Sequence, residues 1–80
     1  MKSAANKAKH GIDFVEAQAL WNDPERLEIP ARSVDEPRAQ VIGMIESQLW
    51  SAFVTSRDDR VRIISVRRAR DEEEARYIGR

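Results

Sequence analysis

The residues best suited to chemistry are arginines crowded near the C-terminus. Arg60, Arg62, Arg67, Arg68 and Arg70 bracket and interrupt the stretch V-R-I-I-S-V, residues 61–66. A guanidinium stays charged and offers a planar fork of donors, so such a cluster invites phosphate. It does not deprotonate near neutral pH, so it stabilises charge but cannot act as a base. Metal-free RNA cleavage is one chemistry that this inventory leaves open without singling it out. The ribose 2′-hydroxyl attacks its own phosphate, and the protein supplies a base, an acid and cations around the phosphorane. His10, Tyr77 or a carboxylate would manage the protons. His10 and Tyr77 are the only histidine and the only tyrosine. The plainer reading of the same residues is a strand with solvated ends and a histidine capping a helix.

Other chemistries find less support. There is no cysteine, and one histidine with no spaced Asp/Glu/His cluster leaves little for a metal site; no metal or cofactor is expected. Only Gly11, Gly43 and Gly79 are present, so there is no glycine-rich phosphate loop. No nucleophile elbow supports a serine triad. No apolar run reaches membrane-spanning length and no signal-peptide pattern opens the chain. The expectation is a soluble, cytoplasmic protein that contacts no membrane, formed as a single domain over residues 1–80. Net charge is zero, yet residues 60–70 carry five arginines and no acid. Positive charge is therefore focused, which favours a local anion site over a broad nucleic-acid track.

Positioning these groups requires helices and a sheet. Residues 3–10 suit a short alanine-driven helix, with Gly11 after it and His10 in its last turn. Asp13 is an N-cap, with Glu16 at the capping-box position. Ile12, Val15 and Ala19 line an apolar face that Phe14, Ala17, Leu20 and Trp21 widen, until Asn22-Asp23-Pro24 ends the helix. Leu27–Ile29 reads as a short strand stopped by Pro30, and residues 30–37 as a loop. Strands follow over Arg38–Glu46 and Leu49–Ser56, the first with Gly43 as a bulge or close approach, joined by a turn at Ser47-Gln48. Arg57-Asp58-Asp59 makes a hairpin into the arginine-rich strand. The Ile63-Ile64 doublet breaks alternation there, which implies a strand interior to the sheet and covered on both faces. Asp71–Glu74 opens a short C-terminal helix that must dock on the sheet or a partner. The expected class is α+β: two N-terminal helices packed on a small antiparallel sheet, with a short C-terminal helix.

Several of these residues also carry a family resemblance. Lys9–Ala17, K-H-G-I-D-F-V-E-A, resembles the K-H-G-(I/V)-x-F-x-E-A opening of BrnT proteins. Asp23-Pro24 stands where that family has D-P, and Arg38–Gly43 is similar to its R-x-x-x-I-G strand, one residue shorter. Arg62–Ala69, followed by Glu73 and Tyr77, resembles R-I-I-S-A-R-x-A…E…Y, with Val66 in place of alanine. The family's usual opening strand containing Trp-Asp has no counterpart in Met-Lys-Ser-Ala-Ala-Asn, so the sheet is expected to lack that strand.

The resemblance implies a RelE-like fold and the toxin of a type II toxin–antitoxin system. It implies an endoribonuclease that blocks translation and is neutralised by a BrnA-type antitoxin, with DNA contacted only indirectly through that antitoxin. The leading assignment sets Arg57, Arg67 and Arg68 around the scissile phosphate, with His10 or Tyr77 handling protons. Lys9, Arg60 and Arg62 would bind the rest of the RNA. The alternative is a non-catalytic interaction module whose arginines grip an antitoxin. A small nucleic-acid-binding domain without chemistry fits less well, given zero net charge and few aromatics for stacking.

Overall fold

A computed structural model of the protein describes residues 2–31 and 37–79, with the backbone alone at Arg57. The elements are α1 (Lys2–His10), α2 (Phe14–Ala17), a 3₁₀ turn (Gln18–Asn22), β1 (Leu27–Ala31), β2 (Arg38–Ile45), β3 (Gln48–Arg57), β4 (Arg60–Arg68) and α3 (Asp71–Ile78). The four strands form one antiparallel sheet in the order β1-β2-β3-β4, which with the helices makes an α+β fold.

Local signals explain most boundaries. Gly11 takes φ +83° after α1, and its N–H bonds to the Lys7 carbonyl. The Asp13–Glu16 capping box forms: Glu16 N–H donates to Asp13 Oδ1 at 2.7 Å, and Asp13 N–H to Glu16 Oε1 at 2.9 Å. Lys7 Nζ reaches the same Glu16 oxygen at 2.7 Å and braces the two helices across the surface. Asp58 and Asp59 both take positive φ, 52° and 64°, as a two-residue hairpin turn of primed type demands. The preceding turn is Glu46-Ser47, one residue earlier than expected, with Glu46 at φ 52°.

Three expectations need correction. Pro30 does not stop β1, which runs on to Ala31. β1 lies at the edge of the sheet, where a missing N–H costs no ladder bond. Val15 is 71 % exposed; the turn tightens at Gln18, and the buried face is Ile12, Ala17 and Leu20. Finally, β4 is an edge strand, not an interior one. Its Ile63-Ile64 doublet is a bulge: Val54 pairs with Ile63 and Phe53 with Ser65, so Ile64 is left over. The loop expected over residues 30–37 falls mostly outside the described residues.

Strand alternation sends Val41, Ala52, Val54 and Val66 to one face, where they pack with Ile12, Ala17 and Leu20. Ile42 and Ser51 are buried on the opposite face, towards α3. Gly43 permits the close approach of the 3₁₀ turn to β2: a Cβ there would lie 3.0 Å from Leu20 Cδ2 and 3.4 Å from Asp23 Oδ2.

One buried side chain ties α1 to the sheet. Asn6 Nδ2 donates to the carbonyls of Ile12 and Val66, both at 2.8 Å, and its Oδ1 accepts from Val66 N–H at 3.1 Å. The amide thus pairs with β4 as a neighbouring strand would. Asn6→Ala leaves those backbone groups without partners, at roughly 1–3 kcal/mol for each one that stays dry. The expected loss is about 2–4 kcal/mol by urea denaturation. Asn6→Asp should cost more at neutral pH, because it sets a carboxylate against two carbonyl oxygens.

Candidate active site

Adjacent residues of a strand face opposite ways, and this divides the two central arginines. Arg67 lies over the Phe53 ring, 5.2 Å from its centroid, whereas Arg68 lies over Trp50 at 6.0 Å. Phe53 and Trp50 are themselves on opposite faces of β3.

Arg67 is consumed by α3. Its Nη1 and Nη2 donate to Glu73 Oε1 and Oε2, each at 2.8 Å, a bidentate pair between partly buried side chains. Glu73 also accepts from the Arg70 backbone N–H at 2.8 Å, which caps α3, and from Gln40 Nε2 at 2.5 Å. Gln40 continues to Ser51 Oγ at 2.7 Å. The hydrogen bonds from Arg67 hold the Glu73 carboxyl at about 2, against the upward push of burial; the same pair raises Arg67.

Arg68 is exposed, and its Nη2 donates to the Gln48 side-chain oxygen. It forms no ion pair with any described residue, so its charge stays available. α1 runs alongside β4: Lys2 and Ser3 lie by residues 61–64, and Asn6 meets Val66. His10 lies one turn, about 6 Å, beyond Asn6 on the same side of the helix, which carries it towards the Arg68 end of β4. Lys9 is exposed beside it.

The remaining predicted cations lie elsewhere. Arg57 pairs with Arg60 at the hairpin, whereas Trp50 pairs with Arg68. The seven residue steps from Trp50 to Arg57 along β3 span roughly 23 Å at ordinary strand rise. Arg57, Arg67 and Arg68 therefore do not surround one phosphate. Arg62 lies near the hairpin with Arg60.

Tyr77 is also engaged. Its hydroxyl donates to Asp23 Oδ2 at 2.7 Å, the oxygen that accepts Met44 N–H at 2.8 Å, while Asp23 Oδ1 accepts from Glu25 N–H at 2.8 Å. Asp23 so joins α3, β2 and its own turn. Sequence reasoning read Asp23 as a helix end and Glu73 as a helix start, and it gave Asn6 and Gln40 no role. The available signal was the period of two in β4, which forbids Arg67 and Arg68 from sharing a face.

The chain is thus an α+β domain with exposed arginines along an edge strand of its sheet. Residues 1–73 match the family model described as the ribonuclease toxin BrnT of type II toxin–antitoxin systems, and the chain belongs to that family. Among curated proteins, none matches it. No helix of the described residues is long and apolar enough to cross a membrane.

Proposed function

We propose that this chain is a metal-independent endoribonuclease toxin with a RelE-like fold that blocks translation and is neutralised by a BrnA-type antitoxin. Arg68 stabilises the phosphorane and His10 transfers protons. Arg67 and Tyr77 act through Glu73 and Asp23, holding α3 in place. Lys9 and the hairpin arginines, Arg57, Arg60 and Arg62, hold flanking RNA. The observation that carries this reading is the division of labour on β4: Arg67 is spent on Glu73, and Arg68 keeps an uncompensated charge.

The step balances without a cofactor. The 2′-oxygen bonds to phosphorus and loses its proton to the base. The bond from phosphorus to the 5′-oxygen breaks, and that oxygen takes a proton from the acid. A 2′,3′-cyclic phosphate and a 5′-hydroxyl result. The purified protein should therefore cleave RNA in EDTA to products ending in a 2′,3′-cyclic or 3′-phosphate, and addition of the antitoxin should stop it. If folded protein binds the antitoxin but leaves RNA intact at high concentration, the interaction-module reading replaces this one.

A further inference from the structure

The direction of Arg68 is set from β3. Trp50 stands opposite it in the register, and Gln48 stands two residues before Trp50, so alternation puts all three side chains on one face. Gln48 opens β3 after the Glu46-Ser47 turn and pairs with Ile45. A diagonal neighbour of this kind is within reach of a long side chain, and Arg68 Nη2 donates to Gln48 Oε1. The guanidinium lies over the Trp50 ring, which itself packs on the core. The backbone beneath is fixed as well. Ala69 N–H donates to the Leu49 carbonyl at 2.9 Å, and Arg67 Nη1 donates to the Arg68 carbonyl at 3.2 Å.

Neighbouring arginines are thus held by different chemistries. Arg67 meets a carboxylate, which orients it and cancels its charge. Arg68 meets an amide oxygen, which orients it and cancels nothing, because the amide is neutral. We propose that Gln48 is a positioning residue of the ribonuclease: its amide aims the Arg68 guanidinium at the scissile phosphate without neutralising it, with Trp50 as the platform beneath. The inference rests on the ribonuclease reading and deepens it by naming what sets the direction of its cation. An arginine in water spreads over many rotamers, and ordering it before the substrate arrives removes that entropy from the reaction. Donors fixed in advance act most strongly where charge develops in the transition state.

Gln48 is exposed, so its variants should fold with urea midpoints near that of the wild type. Gln48→Leu keeps the bulk and loses the acceptor. It should lower kcat on RNA roughly tenfold, the usual effect of one hydrogen bond to a charged group, with KM little changed. The loss should vanish in an Arg68→Ala background, since a residue that acts through another has no effect without it. Gln48→Glu keeps an acceptor but adds a charge. It should raise KM and weaken the response of the Arg68 Nε–H resonance to inorganic phosphate. Wild-type kcat in Gln48→Leu overturns the proposal, as does an equal loss in the Arg68→Ala background. So does Gln48→Glu binding phosphate as well as the wild type. Wild-type cleavage of RNA alongside fully active Gln48 variants sinks the positioning role and spares the ribonuclease reading. RNA left intact by the wild type sinks that reading, and the phosphate titration then decides the positioning role alone.

Discussion

Glu73→Ala is expected to destabilise the protein by about 3–5 kcal/mol, the usual consequence of removing one partner from a buried ion pair. The Glu73 residue is 8 % exposed and receives both Arg67 nitrogens, Gln40 Nε2 and the Arg70 N–H. Truncation strands the guanidinium over Phe53 and uncaps α3 in one step. A chain of this length holds only about 4–12 kcal/mol in all, by the ordinary stability per residue. The variant should therefore lie close to the unfolding threshold, read as a much lower urea midpoint.

The same pair sets a pH signature. Glu73 titrates at about 2 in the folded protein and near 4.3 in an unfolded chain. Its folded value is depressed, so its stabilisation is complete above the unfolded value and is lost as pH falls through the folded one. That difference is worth about 3 kcal/mol, released between roughly pH 5 and pH 2. Glu73→Gln should flatten the stability profile across that window. The double replacement Arg67→Met with Glu73→Leu should recover much of the loss, since well-packed apolar pairs often replace buried ion pairs at little cost. If that variant folds and still cleaves RNA, Arg67 acts as a clamp; if it folds and is inert, Arg67 acts on the substrate.

Local chemistry made part of the fold legible. The Asp13–Glu16 box and the acidic start of α3 each lie within a few residues and appear where their side chains predict, and the hairpin expected over Arg57-Asp58-Asp59 turns on Asp58-Asp59 with Arg57 kept in β3. What was hidden depends on distant pairing. Asn6 looks like an indifferent helix residue among alanines, because its partner Val66 is sixty positions away. Ile63-Ile64 reads as two-sided burial, because a bulge and a buried strand produce the same doublet. Glu73 looks like one helix acid among four, yet it alone is buried, since only it faces Arg67. The arginine cluster was visible as composition but not as geometry. Strand rise spreads it along β4, and alternation splits it between two faces.

That split sets the last prediction. Arg68→Ala should lower the rate of RNA cleavage by roughly 10²–10³, equivalent to about 2.7–4 kcal/mol, by analogy with removing one donor from an oxyanion site. Stability should barely change, because Arg68 is exposed and its contacts are Trp50 and Gln48, both near the surface. The opposite pattern is expected for Arg67→Ala, where stability falls first and activity follows it. Arg68→Lys tests geometry as well as charge. An ammonium lacks the planar fork, so it should restore only part of the rate. His10→Gln addresses the protons: it keeps a polar side chain at the end of α1 but cannot titrate near neutral pH. Loss of activity there, together with loss of the histidine limb of the pH–rate profile, supports proton transfer. A lower urea midpoint with the profile unchanged in shape would assign His10 to capping α1 instead. Unimpaired cleavage by Arg68→Ala would remove the Arg68 end of β4 from the chemistry.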